Sequence, residues 1–175
     1  MRSATSPLLP DSRASRWSQA SSEAEVAAIT RLAAGREATR LAIGSGRTDS
    51  DLRTVDNLTA GWEARGGEVV STVSWPDVAA SWLRQATRFA AADADLWIMT
   101  GSPLGWAQMT RRLLWSTEWR PADTILTSSL ARPEVLGLVG LADLDGITCI
   151  SGSGEAWKVR DRTMVALSSA RPEIF

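Results

Sequence analysis

The chain has 175 residues and a mass of 18.8 kDa, with 44% hydrophobic residues, enough for one domain with a substantial core. Nineteen basic and twenty acidic side chains leave a formal charge of −1, so no net field draws the chain to nucleic acid or to an anionic membrane. Histidine and tyrosine are absent and Cys149 is the single cysteine, which excludes a Ser-His-Asp triad, an intramolecular disulfide and a cysteine-cluster metal site. No pair of carboxylates is placed for general acid-base work, so the expectation is a non-catalytic protein without metal or cofactor.

Residues 1–21 are rich in Ser, Ala, Pro and Arg and read as a flexible arm. Ser21 or Ser22 is placed to cap a helix with acidic residues in its first turn, and Val26, Ile29 and Leu32 give it an apolar stripe that ends near Gly35. Leu41-Ala42-Ile43 is a short apolar strand ended by Gly44-Ser45-Gly46. Residues 51–65 are helical, with Leu52, Val55, Leu58 and Trp62 on one face and Gly66-Gly67 at the end. A second strand covers 68–73, and Pro76-Asp77 opens a helix with Val78, Trp82 and Phe89 on its inner side. Residues 95–100 form a third strand, which Gly101-Ser102-Pro103 turns into a helix over about 104–117. A fourth strand covers 124–127, a short helix runs from Pro133 to about Val139, and 147–150 is a fifth strand.

Short strands, apolar on both faces, alternate with helical patterns of ten or more residues. That is the mark of an α/β fold: three layers, doubly wound, around a mainly parallel sheet. The expected organisation is an arm at 1–21, one domain at 22–155, and an irregular extension or edge strand at 156–175. The N-terminus lacks a signal-peptide apolar region, so the chain as written reads as cytoplasmic.

Ala64-Arg65-Gly66-Gly67-Glu68-Val69-Val70 resembles the helix-to-strand junction of type I periplasmic binding proteins, the solute-binding components of branched-chain amino acid and amide ABC transporters. The approach to the third strand, Phe89-Ala90-Ala91-Ala92-Asp93-Ala94-Asp95-Leu96-Trp97, and the later Asp145-Gly146-Ile147 keep the family's rhythm. The resemblance spans roughly residues 22–155 and matches the C-terminal lobe of a two-lobed fold. It implies an extracytoplasmic location, an ABC permease as partner, and a ligand held between this lobe and an N-terminal one. It also implies that the loops after the third and fourth strands, here Gly101-Ser102-Pro103 and Thr127-Ser128-Ser129, face that ligand. The branched-chain amino acid binders carry an aromatic residue where Gly101 stands and an acidic one where Ser129 stands. The departures point away from an amino acid and toward a neutral or hydroxylated solute.

The residues themselves nominate the same loops. Gly44-Ser45-Gly46 offers backbone N–H groups at a strand end, through Ser45 and Gly46. The dinucleotide fingerprint wants Gly or Ala at position 49, however, and Asp49 stands there. Ser102 is placed both to cap a helix and to turn its hydroxyl to a ligand, with Gly101 beside it and Trp106 available to stack on an organic solute. Thr127, Ser128 and Ser129 follow a strand end, where ligands bind open α/β sheets. Each set also has a plain structural reading, as turn, cap or loop. Ser151-Gly152-Ser153-Gly154 reads as a hinge or linker, and Cys149 as a buried inert thiol. Of nine tryptophans, Trp62, Trp82 and Trp115 fall on helical faces and read as packing residues. The leading expectation is a small-molecule-binding lobe for a polar solute, completed by an N-terminal lobe or a homo-oligomer partner. The alternatives are a Rossmann-like or flavodoxin-like nucleotide or cofactor protein, and an interaction domain without ligand.

Overall fold

The computed structural model describes residues 20–167. Most of the 1–21 arm and the last residues of the C-terminal extension lie outside that range. Five α-helices and seven strands follow in chain order, alternating up to β5, with a short 3-10 turn (Pro121–Asp123) before β4: α1 (Glu23–Gly35), β1 (Arg40–Ser45), α2 (Asp49–Glu63), β2 (Glu68–Ser74), α3 (Leu83–Ala90), β3 (Leu96–Met99), α4 (Pro103–Ser116), β4 (Thr124–Leu126), α5 (Pro133–Leu136), β5 (Thr148–Ile150), β6 (Ala156–Arg160) and β7 (Thr163–Ala166). They form one sheet in the order β2-β1-β3-β4-β5-β6-β7. The first five strands are parallel, and β6 and β7 are antiparallel additions at one edge.

Alternation along the strands sends side chains to two cores. Leu41, Ile43, Leu96, Ile98, Ile125 and Ile150 pack with Ala28, Ile29 and Ala33 of α1 and Leu58 and Trp62 of α2. Ala42, Met99, Leu126 and Cys149 point the other way, against Phe89 of α3, Trp106, Met109 and Leu113 of α4, and Leu136 of α5. The three-layer, doubly wound α/β architecture is therefore present, with α1 and α2 on one face and α3 to α5 on the other.

Three of the helix starts, those of α1, α2 and α4, follow from side-chain caps. Ser22 Oγ accepts from the backbone N–H of Glu25 at 3.1 Å. Thr48 and Asp51 form a reciprocal capping box at α2. Ser102 caps α4 ahead of Pro103 in its first turn.

Several local expectations change. Residues 76–82 are not helical and α3 begins at Leu83, so Val78 is 89% exposed rather than on an inner face. In α2 the buried line is Asp51, Thr54, Leu58 and Trp62, which leaves Leu52 outside. Trp115 is 80% exposed, whereas Trp75 and Trp119, outside the helices, are buried. Helix α5 stops at Leu136. The C-terminal region is a hairpin whose turn puts both Asp161 and Arg162 at positive φ, 49° and 62°. Mirror-image turns of this kind favour Asn-Gly or Asp-Gly, and Asp-Arg carries no such signal.

Gly44 in β1 shows how closely the second core is packed: a Cβ there would lie 2.6 Å from Trp75 Cζ3 and 2.9 Å from Phe89 Cζ. Gly44→Ala is expected to cost about 1–3 kcal/mol through overpacking, read as a lower denaturation midpoint at unchanged m-value. Burial also pushes the Cys149 thiol up to about 12. A thiol reagent at pH 8 is therefore expected to label Cys149 only in denaturant; rapid labelling of the native protein would contradict this burial.

Candidate functional site

The parallel strands end together, so the segments after β1 to β5 share one edge of the molecule. The chain reverses its direction of winding between β1 and β3. That is the topological switch point where open α/β sheets hold ligands. Ser45-Gly46, Thr100-Gly101-Ser102 and Thr127-Ser128-Ser129 lie side by side here because β1, β3 and β4 are neighbours.

Backbone closes much of the crevice. The N–H of Gly46 donates to the Thr100 carbonyl at 3.2 Å, and that of Thr100 to the Gly44 carbonyl at 3.0 Å. Gly101 has φ 139°, and a Cβ on it would lie 2.9 Å from Gly46 N, so only glycine permits this approach. The Asp51 carboxylate packs over Gly46, within 2.3 Å of where a Cβ would stand. The Gly46 amide is thus already paired and carries a negative charge over it, the reverse of a phosphate cradle.

Side chains from elsewhere occupy the next two loops. The Ser102 hydroxyl accepts from Gly105 N–H at 3.2 Å and donates to Asp77 Oδ1 at 2.5 Å. Asp77 thereby ties the loop after β2 to the start of α4. At the loop after β4, the carboxylate of Glu25 accepts from the backbone N–H of Ser128 at 2.5 Å and from its hydroxyl at 2.9 Å. Glu25 is 1% exposed. Burial raises its pKa above the usual carboxylate value, and the Ser128 and Ser22 backbone groups with the Ser128 and Ser21 side chains only partly offset that effect. Ser22 Oγ further donates to the Gly152 carbonyl at 2.6 Å, so the first turn of α1 holds the loops after both β4 and β5.

Ser129 remains the most available hydroxyl. It is half-buried, 3.0 Å from Thr127 Oγ1 and 3.4 Å from Thr100 Oγ1, and it bridges the ends of β3 and β4. Ser45 and Thr127 are buried beneath it in the strand ends. Of the sequence candidates, Ser45, Gly46, Gly101, Ser102, Thr127, Ser128 and Ser129 therefore share one edge. Trp106 does not present a stacking face: it is 0% exposed in the core between α4 and the sheet, because its position in the first turn of α4 faces inward. Glu25 and Asp77 are the residues the sequence reading passed over. Glu25 stands three residues after a Ser cap, a position that suggests local capping rather than a bond to residue 128.

Two surface hollows, of about 490 and 300 Å³, lie away from this edge, the first beside Glu37, Trp62, Arg65 and Gly67, the second beside Asp95, Trp97 and Trp119. Among the described residues no group of His, Cys, Asp or Glu is arranged to hold a metal. No described helix is long and apolar enough to cross a membrane.

A mostly parallel seven-stranded sheet flanked by helices on both faces matches the type I periplasmic-binding-protein-like fold. Solved structures carry the likeness. A putative branched-chain amino acid ABC transporter protein from Rhodospirillum rubrum aligns with a TM-score of 0.58 and 17% identity, over 73% of this chain and 37% of that one. A leucine binding protein from Thermotoga maritima aligns at 0.60 and 16%, over 71% and 35%. An extracellular ligand-binding receptor from Rhodopseudomonas palustris aligns at 0.65 and 14%, over 76% and 36%. The chain thus spans about a third of the length of the structures it resembles. No protein-family model matches the sequence, and no curated protein matches it either.

The Glu25 contact has a pH consequence. Its folded-state pKa is raised, so the native state holds the proton more tightly than the unfolded chain does. Stability is then greatest below the unfolded value and falls as pH rises through the folded one. In chemical denaturation, the native chain is expected to lose stability from pH 4.5 upward relative to Glu25→Gln. Parallel stability-pH curves for the two proteins would refute this.

Proposed function

We propose that the chain is one lobe of a two-lobed solute-binding receptor, corresponding to the C-terminal lobe, with a small polar solute held against the edge where the strands end. The observation that carries the reading is the meeting of the type I binding-protein fold with a hydroxyl-lined switch point, Ser129 bridging Thr100 and Thr127. The edge has the carboxylates of Glu25, Asp51 and Asp77 against Arg132, whose guanidinium donates to the Ser129 carbonyl at 3.4 Å. Such a surface suits a hydroxylated or otherwise neutral solute better than a phosphate ester. Binding would proceed by closure of a second lobe over this edge, with an ABC permease as the downstream partner. The nucleotide reading loses its ground, since the Gly46 amide is already bonded and Asp51 covers it.

A second reading, an interaction domain without ligand, draws on a different observation. The polar groups of Ser102 and Ser128 already have partners within the chain. Val78 and Leu104, 89% and 50% exposed, flank the Asp77–Ser102 bond at the same edge.

A thermal-shift panel of amino acids, amides, polyols and nucleotides separates the readings. A saturable rise in Tm is expected with a polyol or amide, and Ser129→Ala is expected to weaken it about tenfold, near 1.4 kcal/mol. A flat response together with ligand-free dimerisation in light scattering would sink the solute-binding reading.

A further inference from the structure

At the opposite end of the sheet a second polar cluster forms, and no part of the solute-binding reading uses it. Thr148 opens β5 and pairs across the antiparallel register with Lys158 of β6. Lys158 and Arg160 are two residues apart on one strand and share a face, the one on which Ala156 packs toward the α1 and α2 core. Arg36, which caps the C-terminal end of α1, reaches across the same face and donates from Nη2 to Thr148 Oγ1 at 2.6 Å. Two half-buried cations, Arg36 and Lys158, are therefore gathered around one buried hydroxyl, with the exposed Arg160 beside them.

The cluster has no counter-ion in contact. The ion pairs among the described residues are Arg40 with Asp93 and Asp95, and Arg120 with Asp123. The nearby acids are engaged elsewhere: Asp123 on Arg120 at 2.5 Å, and Asp145 accepting from the Asp161 N–H at 3.2 Å. Burial, followed by the charges of Arg36 and Arg160, pulls Lys158 below the usual lysine range despite the opposing fields of Asp145 and Asp123. Burial likewise lowers Arg36, against the opposing charge of Asp123. Three cations held this close repel one another, and an added anion would relieve that repulsion.

We propose that Arg36, Lys158 and Arg160 form a binding site for a small oxyanion of the phosphate or dicarboxylate class, at the amino-terminal end of the sheet and remote from the hydroxyl-lined edge. Two guanidinium forks and one ammonium supply planar and point-charge donors to a multiply charged anion, and Thr148 holds Arg36 in place. The site is independent of the solute-binding reading and survives its failure.

Lys158 is the sole lysine of the chain, which makes the test direct. Reductive ¹³C-methylation of the full chain places one labelled lysine signal at the site and preserves its charge. Titration with inorganic phosphate, and separately with succinate, is expected to move that signal saturably in the low millimolar range with one or both anions. Chloride at matched ionic strength is expected to leave it in place. Arg160→Gln, a change at an exposed position, is expected to weaken the phosphate response about three- to tenfold. An equal response to chloride would overturn the proposal, as would a response unchanged in Arg160→Gln.

Discussion

Strand β1 is hydrogen-bonded along both edges, to β2 and to β3, and covered on both faces, and the geometry of the molecule is organised around that double pairing. Leu41 and Ile43 face α1 and α2 while Ala42 and Gly44 face Trp75 and Phe89, so β1 has no freedom to slip in register without exposing one apolar set. Because β1 lies between β2 and β3, the winding reverses beside it. The loops that leave β1 and β3 then meet at Gly46 and Gly101, where two backbones approach too closely for any side chain.

The same end of the sheet is shaped by carboxylates from outside the strands. Asp51 covers Gly46, Asp77 takes the Ser102 hydroxyl, and Glu25 takes the amide and hydroxyl of Ser128. The bonds of Asp77 and Glu25 each tie down a loop and take up its donors. In the loops after β3 and β4, Ser129 is the serine whose hydroxyl bonds to other hydroxyls, those of Thr100 and Thr127, and not to a carboxylate. The edge is therefore largely closed by bonds within the chain. Glu25 is the costly member, since its carboxylate is almost wholly out of water and its bonds to Ser128, Ser21 and Ser22 do not fully offset the loss of hydration.

The opposite end has the reverse polarity near β5 and β6, where Arg36, Lys158 and Arg160 converge without a carboxylate in contact. Asp123 and Asp145 act on this cluster only through their fields, because each is bonded elsewhere. The tryptophans sort by burial. Trp62, Trp75, Trp106 and Trp119 are buried, with indole N–H groups that lack partners, which marks them as packing residues, while Trp115 stands in solvent on α4.

The caps at Ser22 and Ser102 and the hydroxyl-rich strand ends were legible in the amino-acid order because they rest on contacts within a few residues, and the parallel sheet because short strands apolar on both faces alternate with helical periods. The helix was expected to start at Pro76 because Val78, Trp82 and Phe89 share a helical period, but it starts at Leu83, and the loop before it is tied to α4 by the bond from Ser102 to Asp77. An edge strand at 156–175 was one of two expectations, but its pairing with β6 as a hairpin was not legible, because Asp161-Arg162 is a poor signal for a turn with positive φ. Trp106 was legible as the first-turn residue of a helix but not as a buried one, since burial depends on which side of α4 meets the sheet. By itself, then, the sequence determined the layered α/β fold and where its polar loops fall. Only the tertiary structure decided which of those polar groups remain open, because the partners that close them, Glu25 for Ser128 and Asp77 for Ser102, lie 103 and 25 residues away along the chain.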